Sequence, residues 1–440
     1  MAIWNRKKAE TATPLLDARK AGREATPEML QQAAKDNMFL QFTRHSPFYT
    51  KNGEIPIITH AKGHHFWDQN GKRYFDGISS LFAVNAGHGR ERLAEAAAKQ
   101  MRELDYFPLW SHAHKPGIEL SERLLSYAPK NLSRVFFTTG GGEANETAWK
   151  LAKQYFKIQG KPMKHKVLTR SVAYHGTSHG ALSMTGIPSM KKQFEPLVPS
   201  TFRVPNTNWY RAQDQFATEE EFGLWAADRV EEMIQFEDPD TVAMFVLEPV
   251  QNSGGCFTAP KSYFKKIREI CDKYDVLIVA DETIDAFGRV GEMFASNRYD
   301  FQPDMLVCAK GMSSGYAPIG AMIASLAIIR FGSRPVLILM AVVGASVCAT
   351  LALLPIDGGR NEGAVLACLG ALGLFASAAQ SAMFAVGAHA FPTALRARGL
   401  GLMGAAGRAG AIVSAIAGAL LIGWSNLGFF GALAALMLVN

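Results

Sequence analysis

Short apolar runs rich in β-branched residues alternate with amphipathic stretches between residues 134 and 324. The runs read RVFFTT, HKVLT, VAMFVLE, VLIVADE, DMLVCAK and GAMIAS, and helical patterns start at Glu143, after the HGTSHG sequence and at Pro260. Strands separated by helices are typical of α/β proteins with a parallel-rich sheet covered on both faces. Such sheets bind ligands at the carboxyl ends of their strands, so the residues that end each run are candidates for a site.

Two simpler patterns precede this region. Residues 1–35 are polar and prone to helix, which predicts an N-terminal arm. Residues 55–89 alternate apolar and polar positions around the turn sequence DQNGK, which predicts a hairpin. A further helix is predicted over 91–104.

The pattern changes after Ser325, where uncharged apolar stretches replace the alternation. The stretches run from Pro335 to Pro355, over 364–391 and over 401–424, and a shorter one covers 427–439. A bilayer core needs about 20 apolar residues in a helix, so we expect three full spans and a partial fourth. A buried core helix would account for one such stretch, but not for three in succession.

The charged residues between these stretches predict an orientation. Arginines flank the predicted spans on one side at 330, 334, 396 and 398, whereas the loop at 356–363 balances one arginine against two acids. The positive-inside rule therefore places residues before 325 in the cytoplasm, beneath an inner or plasma membrane. Arg408 lies inside the third predicted span, where a charge is costly and so indicates function.

Composition agrees with a cytoplasmic globular part. The formal net charge is +7, but Lys310 is the last lysine, so the average describes neither part of the chain. Five cysteines occur singly, without the spacing of a metal site or a disulfide framework, as in a reducing compartment. The N-terminus has no apolar core of the length that a secretory signal needs.

A glycine-rich turn provides the first candidate site. Gly140, Gly141 and Gly142 follow the RVFFTT strand and precede a helix that opens with Glu143. Glycines let a backbone approach an anion closely, and the free N–H groups at a helix start favour phosphate. A flexible turn without a ligand would have the same sequence.

Two charged residues end other strands. Asp281 ends VLIVAD, and a buried carboxylate needs a partner, which could be a cofactor, a helix N-terminus or a metal ion. Lys310 ends DMLVCAK, and burial there would lower the pKa of its amine and make it nucleophilic. The alternative for Lys310 is a surface lysine with its amine in solvent.

In this order, the glycine turn, the aspartate and the lysine resemble the class III aminotransferases, the family of ω-amino acid:pyruvate and diamine transaminases. The resemblance covers about residues 35–324. It depends most on the segments GGGEANE at 140–146, AYHG at 173–176, LEPVQ at 247–251, ADETIDAFGRVG at 280–291 and AKGMSSGYAPIGA at 309–321.

This resemblance implies pyridoxal 5'-phosphate as cofactor and assigns roles to single residues. Lys310 would hold the cofactor covalently and move the substrate proton, while Asp281 would pair with the protonated pyridine nitrogen. The other implied cofactor-binding residues are Gly141 and Gly142 at the phosphate, Tyr174 and His175 at the ring, and Glu248, Gln251 and Thr283 nearby. Leu81, Phe82 and Trp110 would line the substrate pocket, with an ordinary core position as the alternative for Trp110.

Several residues depart from the family pattern. Gly140 and Gly142 replace small hydroxyl residues, Thr283 replaces a valine beneath the ring, and Asp285 and Ala286 replace small residues. The resemblance therefore implies a weaker or altered cofactor site.

The implied architecture is a fold type I large domain, shortened at its C-terminal side and followed by all-α transmembrane helices. We assign 1–85 to the arm and part of a small domain, 86–324 to the cofactor-binding domain and 325–440 to the membrane segment. Residues 326–440 resemble a fragment of a major facilitator transporter of the aromatic-acid:proton symporter type.

The implied function is transfer of an amino group from an ω-amino acid or diamine to pyruvate or another keto acid, by a homodimer. The alternatives are a transporter fragment with a cofactor-binding module and a fusion product without activity.

Overall fold

The computed structural model describes residues 14–50, 52–325, 346 and 350. Those up to 325 fall within one compact unit, Met1–Ile328. The predicted spans, their orientation, Arg408 and the transporter-like segment lie outside the described residues, apart from the two isolated positions. Within the described part, none of the helices combines the length and the apolar character that crossing a bilayer requires.

The described residues contain two sheets. The small sheet has the antiparallel order β1-β2-β3, with strands Ile58–Lys62, His65–Asp68 and Arg73–Phe75. Its β2–β3 connection is the predicted hairpin, because Asp68 N–H donates to the Lys72 carbonyl across the DQNGK turn. The strands of the large sheet are β4 Leu132–Thr138, β5 Lys166–Arg170, β6 Thr201–Val204, β7 Val242–Leu247, β8 Leu277–Asp281, β9 Met305–Cys308 and β10 Gly320–Ser325.

The large sheet has the order β4-β10-β9-β8-β7-β5-β6. The strands from β9 to β6 run parallel, and β10 is antiparallel to both of its neighbours. The predicted parallel-rich sheet is therefore confirmed. Parallel strands bring their carboxyl ends to one edge. Asp281 ends β8, whereas Lys310, predicted to end its strand, comes two residues after β9 and opens a 3₁₀ turn at the same edge.

Helices cover both faces of this sheet. The helices in chain order are α1 Pro14–Lys20, α2 Pro27–Asn37, α3 Ser79–Phe82, α4 Glu91–Glu103, α5 Lys115–Tyr127, α6 Gly141–Ile158, α7 His179–Met184, α8 Pro188–Lys191, α9 Glu219–Phe236, α10 Lys261–Lys273 and α11 Ala295–Arg298. Short 3₁₀ turns occupy Ser46–Tyr49, Trp209–Arg211 and Lys310–Met312.

The core follows the alternation of the buried strands. In β7, Phe245 and Leu247 pack with α9 and α10, whereas Met244 and Val246 pack with α6 on the other face. A strand buried on both faces reads as a continuous apolar run, as VAMFVL does. A third cluster joins α5 to β4, β9 and β10.

Three elements, α5, α9 and β6, were not predicted from the sequence. The start of α9 does have a recognisable sequence signal, a threonine followed three residues later by a glutamate. The Thr218 hydroxyl accepts a hydrogen bond from Glu221 N–H, and the Glu221 carboxylate accepts one from Ala217 N–H. The edge strand β6 has only four residues, too few for a clear alternation.

Candidate functional site

One cavity of about 690 Å³ gathers most of the predicted site residues. Its lining includes the strand-end lysine and aspartate and the glycine turn. The predicted residues that line it are Gly141, Gly142, Tyr174, His175, Glu248, Asp281, Thr283 and Lys310. The carboxyl edge of the sheet is therefore the candidate site, where the parallel topology leads one to expect a ligand.

The glycine turn forms the start of α6. This helix begins at Gly141, two residues before the predicted start at Glu143, because the extended backbone of Gly140 is the N-cap. Glu143 reaches back to accept from both the N–H and the hydroxyl of Thr139, which closes the helix start. Gly141 and Gly142 thus belong to the first turn, whose N–H groups have no partner within the helix.

Gly141 is required for steric reasons. A Cβ on Gly141 would lie 2.5 Å from Thr283 Oγ1, whereas one on Gly140 would meet nothing within 4 Å. Thr283 Oγ1 is itself buried and has no hydrogen-bond partner in the described residues. Thr283, which departs from the family pattern, therefore fills the space beside Gly141, and its Oγ1 is free to bind a ligand.

Asp281 is a buried carboxylate that stays ionised. Oδ2 accepts from Asn145 Nδ2 at 2.7 Å and from His175 Nδ1 at 2.8 Å, and Oδ1 accepts from Thr283 N at 3.1 Å. Burial raises the pKa of Asp281, but the hydrogen bond and the attraction from His175 outweigh it, so the pKa lies below its usual value. The site therefore holds a fixed negative charge.

Two residues that orient this pair were missed by the sequence analysis. Asn145 also donates to the His175 carbonyl at 3.0 Å, and Thr169 Oγ1 lies 3.0 Å from His175 Nε2. With Nδ1 bonded to the Asp281 carboxylate, the other ring nitrogen of His175 is held beside the threonine hydroxyl. The signal available in the sequence was Asn145 itself, a polar residue within the GGGEANE segment.

Lys310 has an amine without a strong partner. In the described residues its Nζ makes no ion pair and lies 5.7 Å from the centre of the Phe82 ring. Burial lowers the pKa of Lys310, although the negative charges of Asp281 and Glu248 oppose the effect. A larger neutral fraction makes the amine a better nucleophile and base.

Two further carboxyls of the cavity have raised pKa values. Burial raises the pKa of Glu248 to about 7, and only its Oε1 has a partner, the Tyr174 N–H at 3.3 Å. Burial likewise raises the pKa of Asp285 well above its usual value, although its Oδ2 accepts from Val250 N at 2.7 Å. These two carboxyls are thus harder to ionise than Asp281, whose pKa lies below its usual value.

We expect Glu248→Gln to reduce the loss of stability that occurs as pH rises from about 4.5 to 7. A carboxyl with a raised folded pKa stabilises the fold below its unfolded pKa, and this contribution is lost as pH passes the folded value. The pKa of about 7 corresponds to about 3 kcal/mol across the window. Thermal unfolding midpoints of variant and wild type at pH 5 and pH 8 measure this difference.

Glu282→Gln is the matched control. The pKa of Glu282 is also raised by burial to about 7, but its carboxylate accepts from Ala295 N, Ser296 N and Ser296 Oγ. A glutamine in this position would place its NH₂ group, a donor, against these N–H and O–H donors. The variant should therefore be destabilised at both pH values. An unchanged pH slope in Glu248→Gln would contradict the assignment.

Four predicted residues do not line the cavity. Gln251 is buried beside it and donates to the Ser171 carbonyl. Leu81 is 65% exposed, whereas Phe82 approaches Lys310 from outside the lining. Trp110 is 84% exposed and lines a separate groove with Tyr106, Phe107 and Leu109, so the structure does not bring it to Lys310.

The segment that carries Leu81 and Phe82 has an unusual backbone. All four residues of α3 have positive φ, from 46° to 71°. Left-handed helical residues other than glycine cost roughly 1–2 kcal/mol each. The turn therefore needs restraint from its surroundings.

Comparisons with known proteins agree with this geometry. Residues 49–334 match the model of the family described as aminotransferase class-III. A protein of Mycobacterium tuberculosis described as a probable aminotransferase is 58% identical over 289 residues, which are 66% of this chain and 61% of that protein. The putrescine–pyruvate aminotransferase of Pseudomonas aeruginosa is 37% identical over 294 residues, 67% of this chain and 64% of that protein.

A solved structure shares the fold as well. The ω-transaminase of Pseudomonas jessenii in complex with PMP superposes with a TM-score of 0.65 at 34% identity, over 69% of this chain and 66% of that one. This chain spans less than two thirds of the length of these curated relatives.

The residues of the cavity fit the cofactor on which this family depends, pyridoxal 5'-phosphate. The α6 start offers N–H donors for a phosphate, Asp281 offers a fixed negative charge for a ring nitrogen, and Lys310 offers an amine. With the match over 49–334, these features establish that the chain belongs to the class-III aminotransferases.

Proposed function

We propose that this chain is a transaminase that moves an amino group from an ω-amino acid or diamine to pyruvate or another keto acid. The observation that carries the proposal is the convergence of three groups on one cavity: the Lys310 amine, the ionised Asp281 and the N-terminus of α6. The donor class is supported by the putrescine–pyruvate aminotransferase among the relatives.

The chain's own residues divide the work. The N–H groups of Gly141 and Gly142 would bind the phosphate, and the hydroxyls of Ser178 and Thr283 line the same cavity. When bound, the cofactor supplies a ring that withdraws electrons from the substrate carbon. Asp281 would keep the ring nitrogen protonated, and His175 and Asn145 hold the carboxylate in place.

Lys310 would move the substrate proton at Nζ. A base works best when its pKa lies near the working pH, and burial lowers the pKa of Lys310 in that direction.

The proposal is tested with the purified chain loaded with pyridoxal phosphate. Putrescine or a short ω-amino acid should abolish the absorbance band of the lysine-bound cofactor, and pyruvate should then restore the band and yield alanine. The measured quantities are the absorbance of this band and the moles of alanine formed per mole of protein chain. Loss of the band without formation of an amino acid from pyruvate or from any other keto acid tested would contradict a transaminase.

We expect Gly141→Ala to weaken cofactor binding by about 10- to 100-fold. The new methyl group would clash with Thr283, and overpacking of this kind costs roughly 1–3 kcal/mol. Titration with pyridoxal phosphate, followed by the absorbance band, gives the dissociation constant.

Gly140→Ala is the steric control, because a methyl group there meets nothing within 4 Å and its φ of −178° suits any residue. Thr283→Ala should restore binding in the Gly141→Ala background, because it removes Oγ1 and Cγ2 of Thr283, the two atoms with which the new methyl group would clash. Equal weakening by Gly140→Ala would show that the contact with Thr283 is not the cause.

We also propose that a second copy of the chain covers the groove around Trp110. Its exposed aromatic residues form an apolar surface of a kind that rarely faces solvent in a monomer. Light scattering after size exclusion should give twice the chain mass, and Trp110→Glu should reduce it to one.

The location of the chain is proposed from the sequence pattern alone. We propose that residues 335–440 insert into the inner or plasma membrane, with the aminotransferase part on the cytoplasmic side. The chain should then stay in the membrane pellet after an alkaline wash. Recovery in the soluble fraction would contradict this proposal and leave the transaminase proposal intact.

A further inference from the structure

The left-handed turn α3 is held by a buried carboxylate that no catalytic role explains. The Asp76 side chain is only 5% exposed. Its Oδ1 accepts from Ser80 N at 2.8 Å, and its Oδ2 accepts from Ser80 Oγ at 2.8 Å. Both oxygens thus bind the residue whose φ of 46° is strained.

His88 anchors this carboxylate to the small sheet. Its Nε2 lies 2.8 Å from Asp76 Oδ2. The His88 backbone pairs in both directions with Gly63, which follows β1. Asp76 therefore connects the strained turn to a fixed part of the fold.

The other end of the turn reaches the catalytic edge of the large sheet. Phe82, its last residue, places its ring 5.7 Å from Lys310 Nζ. Shortly after it, Asn85 donates to the Phe287 carbonyl at 3.1 Å and accepts from Arg289 at 2.6 Å. Ala86 N–H donates to Ser314 Oγ at 2.8 Å, which adds a bond to the loop after β9.

The ring position thus depends on a backbone that would relax without restraint. Four left-handed residues without a glycine persist only when their surroundings hold them. The bonds from Asn85 and Ala86 hold the segment after the turn. Within the turn, Ser80 is bound by the Asp76 carboxylate through two bonds of 2.8 Å and by His88 Nε2 through a longer contact of 3.4 Å to its hydroxyl.

We propose that Asp76 is a positioning residue, which holds α3 in its left-handed form and thereby keeps the Phe82 ring against the Lys310 amine. This inference rests on the proposed transaminase function for its effect on substrates. Phe82 does not line the cavity, but its ring lies 5.7 Å from Nζ and bounds the space on that side of the amine, so Asp76 affects, through Phe82, how large a donor can reach Nζ.

Asp76→Ala should free the turn without removing the cofactor. The Phe82 and Ala83 N–H groups, which donate to the Ile78 and Ser79 carbonyls, should exchange with solvent about tenfold faster. The absorbance band of the lysine-bound cofactor should remain. The ratio of kcat/KM for benzylamine to that for putrescine should rise about tenfold as the aromatic wall loosens.

Asp68→Ala is the matched control. Asp68 also stabilises a turn of the small sheet, through bonds from Asn70 N, Lys72 N and the Tyr74 hydroxyl, but that turn is the β2–β3 hairpin. This variant should leave both the exchange of Phe82 and the donor ratio unchanged. If Asp76→Ala does not fold, Asp76→Asn retains an oxygen for Ser80 N–H and should give a smaller change in the same direction.

Two double variants separate the proposed role from general loosening. Phe82→Ala should raise the same ratio, and adding Asp76→Ala to it should change little, because the two residues act through one ring. In a Ser79→Gly background the effect of Asp76→Ala should shrink, since glycine adopts positive φ without steric cost.

Unchanged exchange at Phe82 in Asp76→Ala would overturn the proposal, as would additive effects of Asp76→Ala and Phe82→Ala. The exchange readout is independent of catalysis. If the wild type forms no alanine, the proposed function fails, while faster exchange with a retained band would still support Asp76 as the residue that holds the turn.

Discussion

Lys310→Ala should abolish the absorbance band of the lysine-bound cofactor and lower transamination by at least 10²- to 10⁴-fold, the usual contribution of a positioned acid–base group. The residue combines two roles at one atom, since Nζ would both attach the cofactor and move the substrate proton. Its position at the end of β9, in a cavity with Asp281, supports both roles. Spectra with added pyridoxal phosphate and single-turnover rates measure the two losses separately.

Two other lysines serve as controls for this variant. Lys261 is exposed at the start of α10, and its replacement by alanine should leave the band intact. Lys164 is buried, but its Nζ donates to the carbonyls of Pro239, Val242, Tyr274 and Asp275, so its amine is fully engaged. A band that persists in Lys310→Ala would show that another lysine holds the cofactor.

Asp281→Asn should reduce kcat by about 10²- to 10³-fold while the band remains. The substitution keeps the size of the side chain but removes a negative charge in a buried site, where such charges contribute most to a transition state. The asparagine amide would also face the donors of His175 or Asn145, which now meet a carboxylate. The rate of the first half-reaction at saturating donor gives the effect on the chemical step.

Asp285→Asn distinguishes charge from shape in the same cavity. Burial raises the pKa of Asp285 well above its usual value, so this carboxyl holds a negative charge less readily than Asp281 and an amide there changes less charge. We expect at most a few-fold loss in this variant. Equal losses in the two variants would mean that the negative charge of Asp281 is not the property that matters.

The sequence predicted the large sheet well because its strands are buried on both faces. A run such as VAMFVL fills two core clusters with alternate residues, and this requirement leaves a continuous apolar signal. The elements that were missed lie at the edge of the sheet or outside it. In β6, packing on one neighbour is enough to hold a four-residue strand.

The candidate site was predicted where its residues end strands or form turns. Asp281 and Lys310 stand at such positions, and the parallel topology brings them to one edge. Asn145 and Thr169 were not predicted, because their role depends on a bond across the fold: the Asn145 amide reaches Asp281 although 136 positions separate the two residues. A single sequence carries no record of such a pairing.

By itself, the sequence determined the α/β architecture of residues 134–325, the family, and the identity of the residues at the carboxyl edge, because burial periodicity and strand ends are local properties. Only the tertiary structure decided which polar groups satisfy Asp281, that Trp110 lies apart from Lys310, and that the Asp76 carboxylate bonds to the left-handed turn that ends at Phe82. These features depend on contacts between distant segments, and the free energy that maintains a buried charge or a strained turn comes from the surrounding fold.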